Sequence, residues 1–317
     1  MATGDLTAVE GTDVYYVDVG AYDVPGYGSV YILDADRPAV VDTGLGTNVD
    51  VIVDALDEIG IDSLEYILAT HVHLDHAGGA GYLADIYPEA TVLIHDIGVR
   101  HLIDPSRLVE GTKAAVGEQW QYYDDPKPVP EDRIEGIEGG DEIDLGDRTV
   151  DVIHAPGHAP HQVLFHDRAD DVLFSGDAAG IRPDDSDRLV PTSPPVNFDL
   201  EGCLDDADTI AERNPDYLCF GHFGAVAFTP ALMDEYVDVL SSWVDSVCEK
   251  RAELADDDAV IEHFVETAEL IEPWGERKSR AEARLNTKGV LRYLDQQEFF
   301  FVRLSTEKVD INRILSP

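Results

Sequence analysis

The first two hundred residues alternate short apolar runs with amphipathic ones. Ser29–Leu33 and Ala39–Val41 are rich in β-branched residues, and the polar residues between them include a proline, so a β-hairpin is predicted. The next stretch has apolar residues at helical spacing up to Gly60, which predicts a helix that ends at this glycine. The apolar run over residues 66–69 then predicts a buried strand. This alternation is typical of a layered α/β domain.

The pattern changes near residue 230. Residues 132–175 carry short β-type runs separated by glycine-containing turns, whereas the apolar positions beyond residue 229 follow helical spacing. We therefore predict one domain over residues 1–229 and a mostly helical C-terminal extension, packed on it, over residues 230–317. Within this extension, the apolar segment 298–304 could form either a strand or a docking element.

The chain is strongly acidic. Its 317 residues include 65 Asp and Glu against 22 Lys and Arg, which gives a formal net charge of -43. Such a field repels nucleic acid and anionic lipid, because phosphate binding relies on clustered basic residues. The simplest explanation of this charge is a solubilising surface. Its spread along the whole chain also fits a protein of a salt-loving cytoplasm, where ions screen the self-repulsion.

Cysteines and apolar segments narrow the class of protein further. Cys203, Cys219 and Cys248 are odd in number and widely spaced, so neither a disulfide framework nor a cysteine-based zinc site is expected. The N-terminus has no basic segment followed by an apolar one, and no stretch approaches the length of a membrane span. We therefore expect a cytoplasmic protein that does not interact with membranes.

A dense group of metal-binding side chains follows the predicted strand at residues 66–69. His71, His73, Asp75 and His76 place four possible ligands within six residues. Imidazole is the commonest metal ligand in proteins, and a loop at a strand end can turn all four side chains toward one centre. A lone histidine is usually a surface or core residue, but four ligands in so short a segment favour a metal site.

Three further candidate ligands lie later in the chain. His158, Asp177 and His222 each follow a β-type run and stand directly after a glycine. Glycine permits the tight turn that lets a side chain reach a shared centre. Each of these segments is weak evidence alone. Together with residues 71–76 they form a strong signal, because ligand types then follow four β-type runs of the chain.

This order of motifs resembles the metallo-β-lactamase superfamily. The segment His-x-His-x-Asp-His at 71–76 is followed by Gly-His, Gly-Asp and Gly-His, and Val40–Gly44 resembles the first motif of the family. The resemblance covers roughly residues 10–225. It implies an α/β fold, a four-layer αββα sandwich, with the site at one edge of two packed sheets. The helical C-terminal extension would be added to this sandwich.

The resemblance also implies a role for each motif residue. The implied ligands form two groups joined by a bridge: His71, His73 and His158 for one metal ion, Asp75, His76 and His222 for the second, and Asp177 between them. Asp42 would orient a ligand histidine, the alternative being a turn-forming aspartate, and Asp75 could also relay a proton in catalysis. Nitrogen and carboxylate ligands without thiolates suit zinc, which we expect first, and also iron or manganese.

The resemblance implies hydrolysis of a small-molecule substrate. Two neighbouring metal ions lower the pKa of a shared water and stabilise charge on a substrate oxygen. Histidine at position 73, where the redox branch of the superfamily has glutamate, favours a hydrolase. The compact layout with a helical extension resembles the glyoxalase II-like hydrolases. The expected function is therefore a binuclear hydrolase in which a metal-bridging hydroxide attacks a thioester or related ester.

Two alternatives remain open at this stage. The first is a phosphodiesterase or ribonuclease of the same fold (RNase Z-like), which the net charge and the short interval between Asp177 and His222 disfavour. The second is a non-catalytic binding or regulatory member, which the complete ligand set disfavours. The ligands alone do not choose between a thioester and a phosphodiester substrate.

A basic stripe in the extension bears on the substrate. Arg280, Arg284, Lys288 and Arg292 recur every four residues, which would align them on one face of a helix. They could hold an anionic substrate tail, or they could pair with the acidic surface of the protein itself, which the composition favours. Asn286, Thr287 and Gly289 could break the helix and with it the stripe.

Two other features could contribute to a substrate pocket. The proline-rich and charged residues 182–199 could overhang the site as a substrate-selecting loop, or they could be a plain connection. His161 could line the pocket, because it lies three residues after His158. The other histidines outside the motifs, His95, His101, His154, His166 and His263, are assigned to the surface or the core.

Overall fold

The computed structural model describes residues 3–183, 188–272 and 274–314, with side chains described up to residue 297. The first sheet is formed by β1 (Leu6–Ala8), β2 (Val14–Asp18), β3 (Ser29–Leu33), β4 (Ala39–Val41), β5 (Tyr66–Leu68), β6 (Thr91–His95) and β7 (Ile134–Ile137). The second sheet is formed by β8 (Glu142–Asp144), β9 (Thr149–His154), β10 (Val163–Asp167), β11 (Val172–Gly176), β12 (Tyr217–Phe220) and β13 (Ala225–Ala227).

The α-helices of the described ranges surround these sheets. They are α1 (Val49–Ile59), α2 (Leu74–Ala77), α3 (Ala80–Ile86), α4 (Asp96–Ile103), α5 (Ser106–Val116), α6 (Leu200–Arg213), α7 (Pro230–Leu254), α8 (Asp257–Glu266) and α9 (Gly275–Ile314). Among the described residues, no helix combines the length and the apolar character needed to cross a membrane.

Strand order is simple in both sheets. The first sheet follows chain order from β1 to β7, with antiparallel pairs up to β4 and parallel pairs from β4 to β7. The second sheet runs from β13 to β8 and is antiparallel except for the parallel pair of β11 and β12. Several strands of both sheets therefore deliver their carboxyl ends to one edge, where loops can converge.

Three apolar layers hold the fold together. Between the sheets, Leu93 of the first sheet packs in one cluster with Phe165 and Phe174 of the second. Residues of α1 and α3 pack on the outer face of the first sheet, and residues of α6 and α7 on the outer face of the second. The architecture is thus a four-layer αββα sandwich, which confirms the predicted fold class.

The local patterns explain why these elements form. All five residues of β3 are buried, because the strand is covered by a helix layer on one face and by the second sheet on the other. Helix α1 buries an apolar stripe that includes Ile52 and Leu56, and it ends where Gly60 adopts a positive φ of 80°. The hairpin of β3 and β4, the helix α1 and the strand β5 are therefore confirmed.

The helical extension begins with α7 at Pro230 and packs on the second sheet. Met233 and Tyr236 of α7, Val260 of α8 and Val290 of α9 belong to the same apolar cluster as the sheet residue Leu218. The segment 298–304 lies within α9, so the strand alternative is wrong. The division of the chain into a domain of residues 1–229 and an extension of residues 230–317 stays a prediction.

The helix break considered as a possibility at residues 286–289 does not occur, because these residues pack against a loop. The Asn286 side chain accepts a hydrogen bond from the Ser193 backbone N–H at 2.8 Å and donates one to the Pro191 carbonyl at 3.1 Å. A Cβ on Gly289 would lie 1.8 Å from the Ser193 carbonyl oxygen. The polar and small residues therefore let α9 approach the loop closely, and tertiary contacts outweigh their weak helix propensity.

Helices α4 and α5 are not predicted from the sequence. Helix α5 has no fully buried residue, so its apolar positions carry only a weak periodic signal. Both helices lie between β6 and β7 in the chain, and side chains from both line the cavity beside the candidate metal ligands.

We expect the Gly289→Ala variant to be less stable than the wild type by about 1–3 kcal/mol, because the added methyl group must displace the Ser193 backbone. The measurement is urea denaturation followed by circular dichroism. Gly111→Ala is the matched control: Gly111 is also helical, but no atom lies within 4 Å of the position that its methyl group would take, so this variant should be neutral or slightly stabilised. Equal effects of the two substitutions would contradict the close docking of α9.

Candidate metal centre

The candidate ligands come together at the shared edge of the two sheets. Residues 71–76 follow β5 and run into the short helix α2, and Asp42 follows β4 in the same sheet. His158 follows β9, Asp177 follows β11 and His222 follows β12 in the second sheet. Each sheet therefore contributes one part of the site, and neither contributes all of it.

One group of ligands consists of three imidazoles. The Nε2 atom of His71 lies 3.0 Å from Nδ1 of His73, and the Nε2 atom of His158 lies 3.2 Å from the same Nδ1. His71 and His158 are buried, whereas His73 is half-buried and faces the cavity. The three nitrogens lie close enough together to bind a single metal ion.

The second group combines two imidazoles with a carboxylate. The Nε2 atoms of His76 and His222 each lie 3.9 Å from Oδ2 of Asp75. The ligand atoms of these three residues all lie within 4.8 Å of one another. They too could bind one metal ion.

The carboxylate of Asp177 lies between the two groups. Its Oδ2 atom is 3.4 Å from Nε2 of His158, whereas its Oδ1 atom is 3.3 Å from Nε2 of both His76 and His222. The two oxygens of one side chain therefore face different ligand groups. This geometry suits a bridging carboxylate.

The outward ring nitrogens of the histidines are held by hydrogen bonds. His222 Nδ1 donates to the Tyr27 carbonyl at 2.5 Å, and His76 Nδ1 lies 2.8 Å from Oδ2 of Asp42. Carbonyl and carboxylate oxygens only accept hydrogen bonds, so Nδ1 of both rings carries a proton, and Nε2, which faces the centre, is the atom left to bind a metal ion. His71 and His158 make similar contacts, with the hydroxyls of Thr70 at 3.0 Å and Thr192 at 3.3 Å.

Asp42 lies in a turn and also contacts a candidate ligand histidine, which are the two alternatives considered for it from the sequence. Its backbone has a positive φ of 62°, a conformation that aspartate tolerates better than most residues, so it does form a turn. Its buried side chain also accepts hydrogen bonds from the Thr70 backbone N–H at 2.8 Å and hydroxyl at 2.9 Å. The turn thus fixes a carboxylate directly behind His76.

Two unpaired buried atoms indicate that a cation fits this centre. His76 Nε2 and Asp177 Oδ1 are buried and make no hydrogen bond within the described part of the chain. An unsatisfied buried polar atom is costly, and a metal ion between the two groups would satisfy both atoms. The donor set of imidazole nitrogens and carboxylate oxygens suits zinc, iron or manganese.

The imidazoles and carboxylates of the cluster shift one another's pKa values. Burial would lower the pKa of His76, but the carboxylates of Asp177, Asp42 and Asp75 raise it well above its ordinary value, so a metal ion would compete with a proton for this ring. Burial would raise the pKa of Asp177, but the imidazoles of His76, His222 and His158 hold it well below its usual range. Burial lowers the pKa of His158 to about 3, which leaves this ring neutral. A neutral imidazole and an ionised carboxylate are the forms that bind metal ions.

The centre opens into a cavity of about 500 Å³, which we call the metal cavity. His73 and Asp75 form part of its floor, and the loop residues 192–197 contribute to its wall, as in the overhang alternative considered for residues 182–199. Residues 184–187 of that segment lie outside the described ranges. His161 lines the metal cavity, which is one of the two possibilities considered for it from the sequence. His101 also lines it, which corrects its assignment to the surface or core, because α4 turns this side chain toward the site.

Sequence reasoning missed a group of aromatic and charged residues in the metal cavity. The Lys278 ammonium lies 3.9 Å from the ring centre of Tyr22 and 4.0 Å from that of Tyr27, and it pairs with Glu282 at 2.5 Å. Tyr27 also donates a hydrogen bond to Glu282 at 3.1 Å. The only sequence signal is the i,i+4 spacing of Lys278 and Glu282, which does not reveal that α9 turns this pair toward a distant loop.

Tyr22 is held in an unusual backbone conformation. Its φ is 62°, which is rare for a bulky residue, and its carbonyl accepts a hydrogen bond from the Arg277 guanidinium. The buried ring faces Tyr123 as well as Lys278. Tyr22 also lines the metal cavity, and strained residues are common at functional sites.

A buried carboxylate supports the loop that carries His158. The Asp206 side chain accepts a hydrogen bond from the Gly157 backbone N–H at 2.8 Å. Position 157 requires glycine, because a Cβ there would lie 2.2 Å from the backbone nitrogen of Cys203. Burial raises the pKa of Asp206 to about 7.

Comparisons with known proteins agree with this fold. The family model of the metallo-β-lactamase superfamily matches residues 23–222. A metallo-β-lactamase fold-containing protein of Sulfurisphaera tokodaii is 28% identical over 234 residues, which cover 72% of this chain and 84% of that protein. A metallo-β-lactamase family protein of Thermus thermophilus has a solved structure with a TM-score of 0.65 and 21% identity, over 90% of this chain and 94% of that one.

A relative with a named activity is more distant. An acyl-coenzyme A thioesterase of Gallus gallus is 27% identical over 179 residues, which cover 53% of this chain and 63% of that enzyme. The match to the family model covers more than half of the chain. The chain therefore belongs to the metallo-β-lactamase superfamily.

We expect Asp42→Asn to weaken binding of one metal ion by about 10–100-fold. An amide nitrogen facing His76 cannot accept the Nδ1 proton, so the ring loses the tautomer that presents a lone pair to the centre. The measurement is zinc content and zinc affinity by equilibrium dialysis with elemental analysis. Asp57→Asn, at an exposed position of α1, is the control for the change in charge. Wild-type affinity in Asp42→Asn would show that Asp42 does not orient His76.

We expect Asp206→Asn to increase the free energy of unfolding at pH 8 but not at pH 4.5. The folded-state pKa of Asp206, about 7, lies above the ordinary value of an aspartate, so the ionised carboxylate destabilises the fold increasingly as the pH rises toward 7. The difference between variant and wild type should grow by roughly 2–4 kcal/mol from pH 4.5 to pH 8. Denaturant titrations at both pH values measure it, and a difference independent of pH would contradict the burial of this charge.

Proposed function

We propose that this metallo-β-lactamase superfamily member is a binuclear metal-dependent hydrolase that acts on a thioester or a related ester. The observation that carries the proposal is the position of Asp177, whose two oxygens face different groups of imidazoles. The proposed ligands are His71, His73 and His158 for one ion, Asp75, His76 and His222 for the other, and Asp177 as the bridge. Zinc is the first expectation, with iron or manganese as alternatives.

The substrate class is supported by two separate observations. Acyl-coenzyme A thioesterases occur among the relatives, which makes a thioester the first bond to test. The metal cavity is also wide enough for a small molecule, and its lining combines polar groups near the ligands with apolar residues such as Leu108, Ile97 and Val196. An acyl group could lie on the apolar part while its carbonyl faces the ligands.

When bound, the two metal ions would lower the pKa of water and stabilise negative charge on the substrate oxygen. Asp75 is the residue that could move a proton. Burial would raise its pKa, but the imidazoles of His76 and His222 hold it below its usual value, so the carboxylate is ionised. It is only half-buried and lines the metal cavity, where it can accept a proton at Oδ and return it to a leaving thiolate or alkoxide.

The tyrosines of the metal cavity can orient the substrate. Burial and the nearby Asp75 carboxylate raise the pKa of both Tyr22 and Tyr123, so these phenols stay protonated and can donate hydrogen bonds. The loop at residues 192–197 and helices α4 and α5 line the sides of the metal cavity. The tyrosines would hold the acyl end of the substrate while Asp75 accepts and returns the proton.

The direct test is a substrate panel with the metal-loaded protein. We expect hydrolysis of acyl thioesters to exceed hydrolysis of bis(p-nitrophenyl) phosphate, because the cavity suits a small uncharged carbonyl group. Zinc, manganese and iron forms are compared, each at low salt and in molar KCl, because the net charge of -43 makes salt dependence informative. Preferred cleavage of the phosphodiester would instead support the phosphodiesterase alternative. No turnover of any substrate by any metal form would support a non-catalytic role.

Substitution of the ligands tests the site itself. We expect His73→Ala and Asp177→Ala to lower kcat/KM by about a thousandfold or more while the circular dichroism spectrum is retained, since a displaced metal ion costs several kcal/mol of transition-state stabilisation. The matched control is His263→Ala. His263 lies on α8 and lines neither the metal cavity nor the second cavity that adjoins it. Full activity of either ligand variant would refute the assignment.

A further inference from the structure

A second cavity of about 520 Å³ adjoins the metal cavity, and its lining is basic. We call it the basic groove. Five of its lining residues are basic: Arg277, Lys278, Arg280, Arg284 and Lys288. Among its described lining residues, only Glu118 and Glu282 are acidic. The chain as a whole has 65 acidic and 22 basic residues, so the groove reverses the charge balance of the protein.

The basic groove is continuous with the metal cavity. Seven residues line both: Tyr22, Ala115, Val116, Tyr123, Lys278, Glu282 and Leu285. The pair of Lys278 and Glu282 therefore stands where the two spaces meet. A ligand could place one end at the metal ligands and the other end along the basic residues of α9.

All five basic residues lie on α9, and the opposite wall is formed by residues 115–119. Lys288 donates a hydrogen bond to the Ala115 carbonyl at 3.0 Å, and Arg277 contacts Gln119 at 3.4 Å. Along a helix the 11 steps from Arg277 to Lys288 correspond to about 16 Å. The groove is therefore long enough to contact several charged groups of an extended ligand.

The ion pairs of Arg280 and Arg284 leave these two residues able to bind an anion. Arg280 pairs with Glu276 at 2.9 Å and Arg284 pairs with Glu262 at 2.7 Å, and both glutamates are exposed and do not line the groove. Exposed ion pairs of this kind contribute little to stability, because water screens both charges. A phosphate group, which accepts two parallel hydrogen bonds from one guanidinium, competes well with such partners.

The structure therefore changes the interpretation of the basic stripe. Arg280, Arg284 and Lys288 line the basic groove, whereas Arg292 is exposed and outside it. Pairing with the acidic surface occurs for two members but does not explain why the stripe faces a cavity. Burial and the Arg284 guanidinium also lower the pKa of Lys288, which shows that the cations of the groove repel one another.

We propose that the basic groove binds the phosphate-bearing tail of the substrate whose acyl carbonyl lies at the metal ligands. The proposal rests on the thioester or ester hydrolase function for the acyl end and adds the chemistry of the other end. The favoured ligand is a small molecule with two or more phosphate groups, such as a nucleotide-linked thiol. A long nucleic acid is disfavoured, because it would extend beyond the groove over a surface that is acidic overall.

The test compares two thioesters with the same acyl group on the zinc-loaded protein. One is the thioester acetyl-coenzyme A, and the other is the thioester S-acetyl-N-acetylcysteamine, which carries no phosphate. We expect the wild type to prefer the coenzyme A ester, and we expect the ratio of the two kcat/KM values to fall at least about tenfold in Arg280→Glu/Arg284→Glu. The loss should be mainly an increase in KM for the phosphorylated substrate.

Arg292→Glu is the matched control, because it reverses a charge on the same helix outside the groove and should keep the wild-type ratio. Arg280→Gln/Arg284→Gln is measured as well, in case charge reversal beside Glu262 and Glu276 disturbs folding, and should show a smaller fall in the ratio. Inorganic pyrophosphate should inhibit hydrolysis of the phosphorylated ester competitively in the wild type and more weakly in both double variants.

The outcomes separate this proposal from the hydrolase function. Hydrolysis of both esters with the same ratio in the wild type and all variants would overturn the groove proposal and leave the hydrolase function standing. If the wild type cleaves neither ester in its zinc, manganese or iron form, the proposed thioester hydrolase function fails. Isothermal titration with inorganic pyrophosphate then tests the groove proposal separately. Binding that is weaker in the double variants, but not in Arg292→Glu, supports the groove proposal. Equal binding in all variants, or no binding, overturns it.

Discussion

The packing of the two sheets against each other determines where every candidate ligand lies. Tyr31 of the first sheet, which is buried between the layers, donates a hydrogen bond to the Phe220 carbonyl of the second at 2.7 Å, and its ring meets Phe174 edge-on. The backbone N–H of Ser29 also bonds to the Gly221 carbonyl, one residue before His222. These contacts align the strand ends of both sheets. A shift between the layers would separate His76 from Asp177 although each sheet remained intact.

Charge is distributed in the molecule according to burial. Carboxylates cover the surface, but the buried carboxylates near the site each have a specific partner: Asp42 contacts His76, Asp177 contacts three imidazoles, and Asp206 accepts a backbone hydrogen bond. Such partners are needed because burial of an unpaired charge is expensive. Cations are concentrated as well, with five of the described basic residues on the face of α9 that lines the basic groove. The net charge of the chain therefore gives no guide to the local field near the site.

The sequence predicts what is encoded locally and misses what depends on distant contacts. The strand β3, the helix α1 and the ligand motif at residues 71–76 all follow from periodicity, turn residues or the spacing of ligand types. Helix α5 is not predicted because it has no stripe of buried residues. The contribution of Tyr22 and Lys278 to the metal cavity depends on the contact of α9 with a turn more than 250 residues earlier in the chain. Asn286 and Gly289 suggest a helix break for the same reason. Residues that weaken an isolated helix become favourable where a loop packs closely on it.

Division of the ligands between two sheets also links metal supply to the lifetime of the protein. Ions bound as proposed would act as cross-links between segments that are far apart in sequence, and they would bind the folded state in preference to the unfolded one. Without these ions the shared edge would be the least stable part of the sandwich, because buried imidazole and carboxylate atoms there would lack a counterpart. In a metal-poor cell, this edge would open first and expose the chain to proteases, so scarcity would reduce the amount of protein as well as its activity.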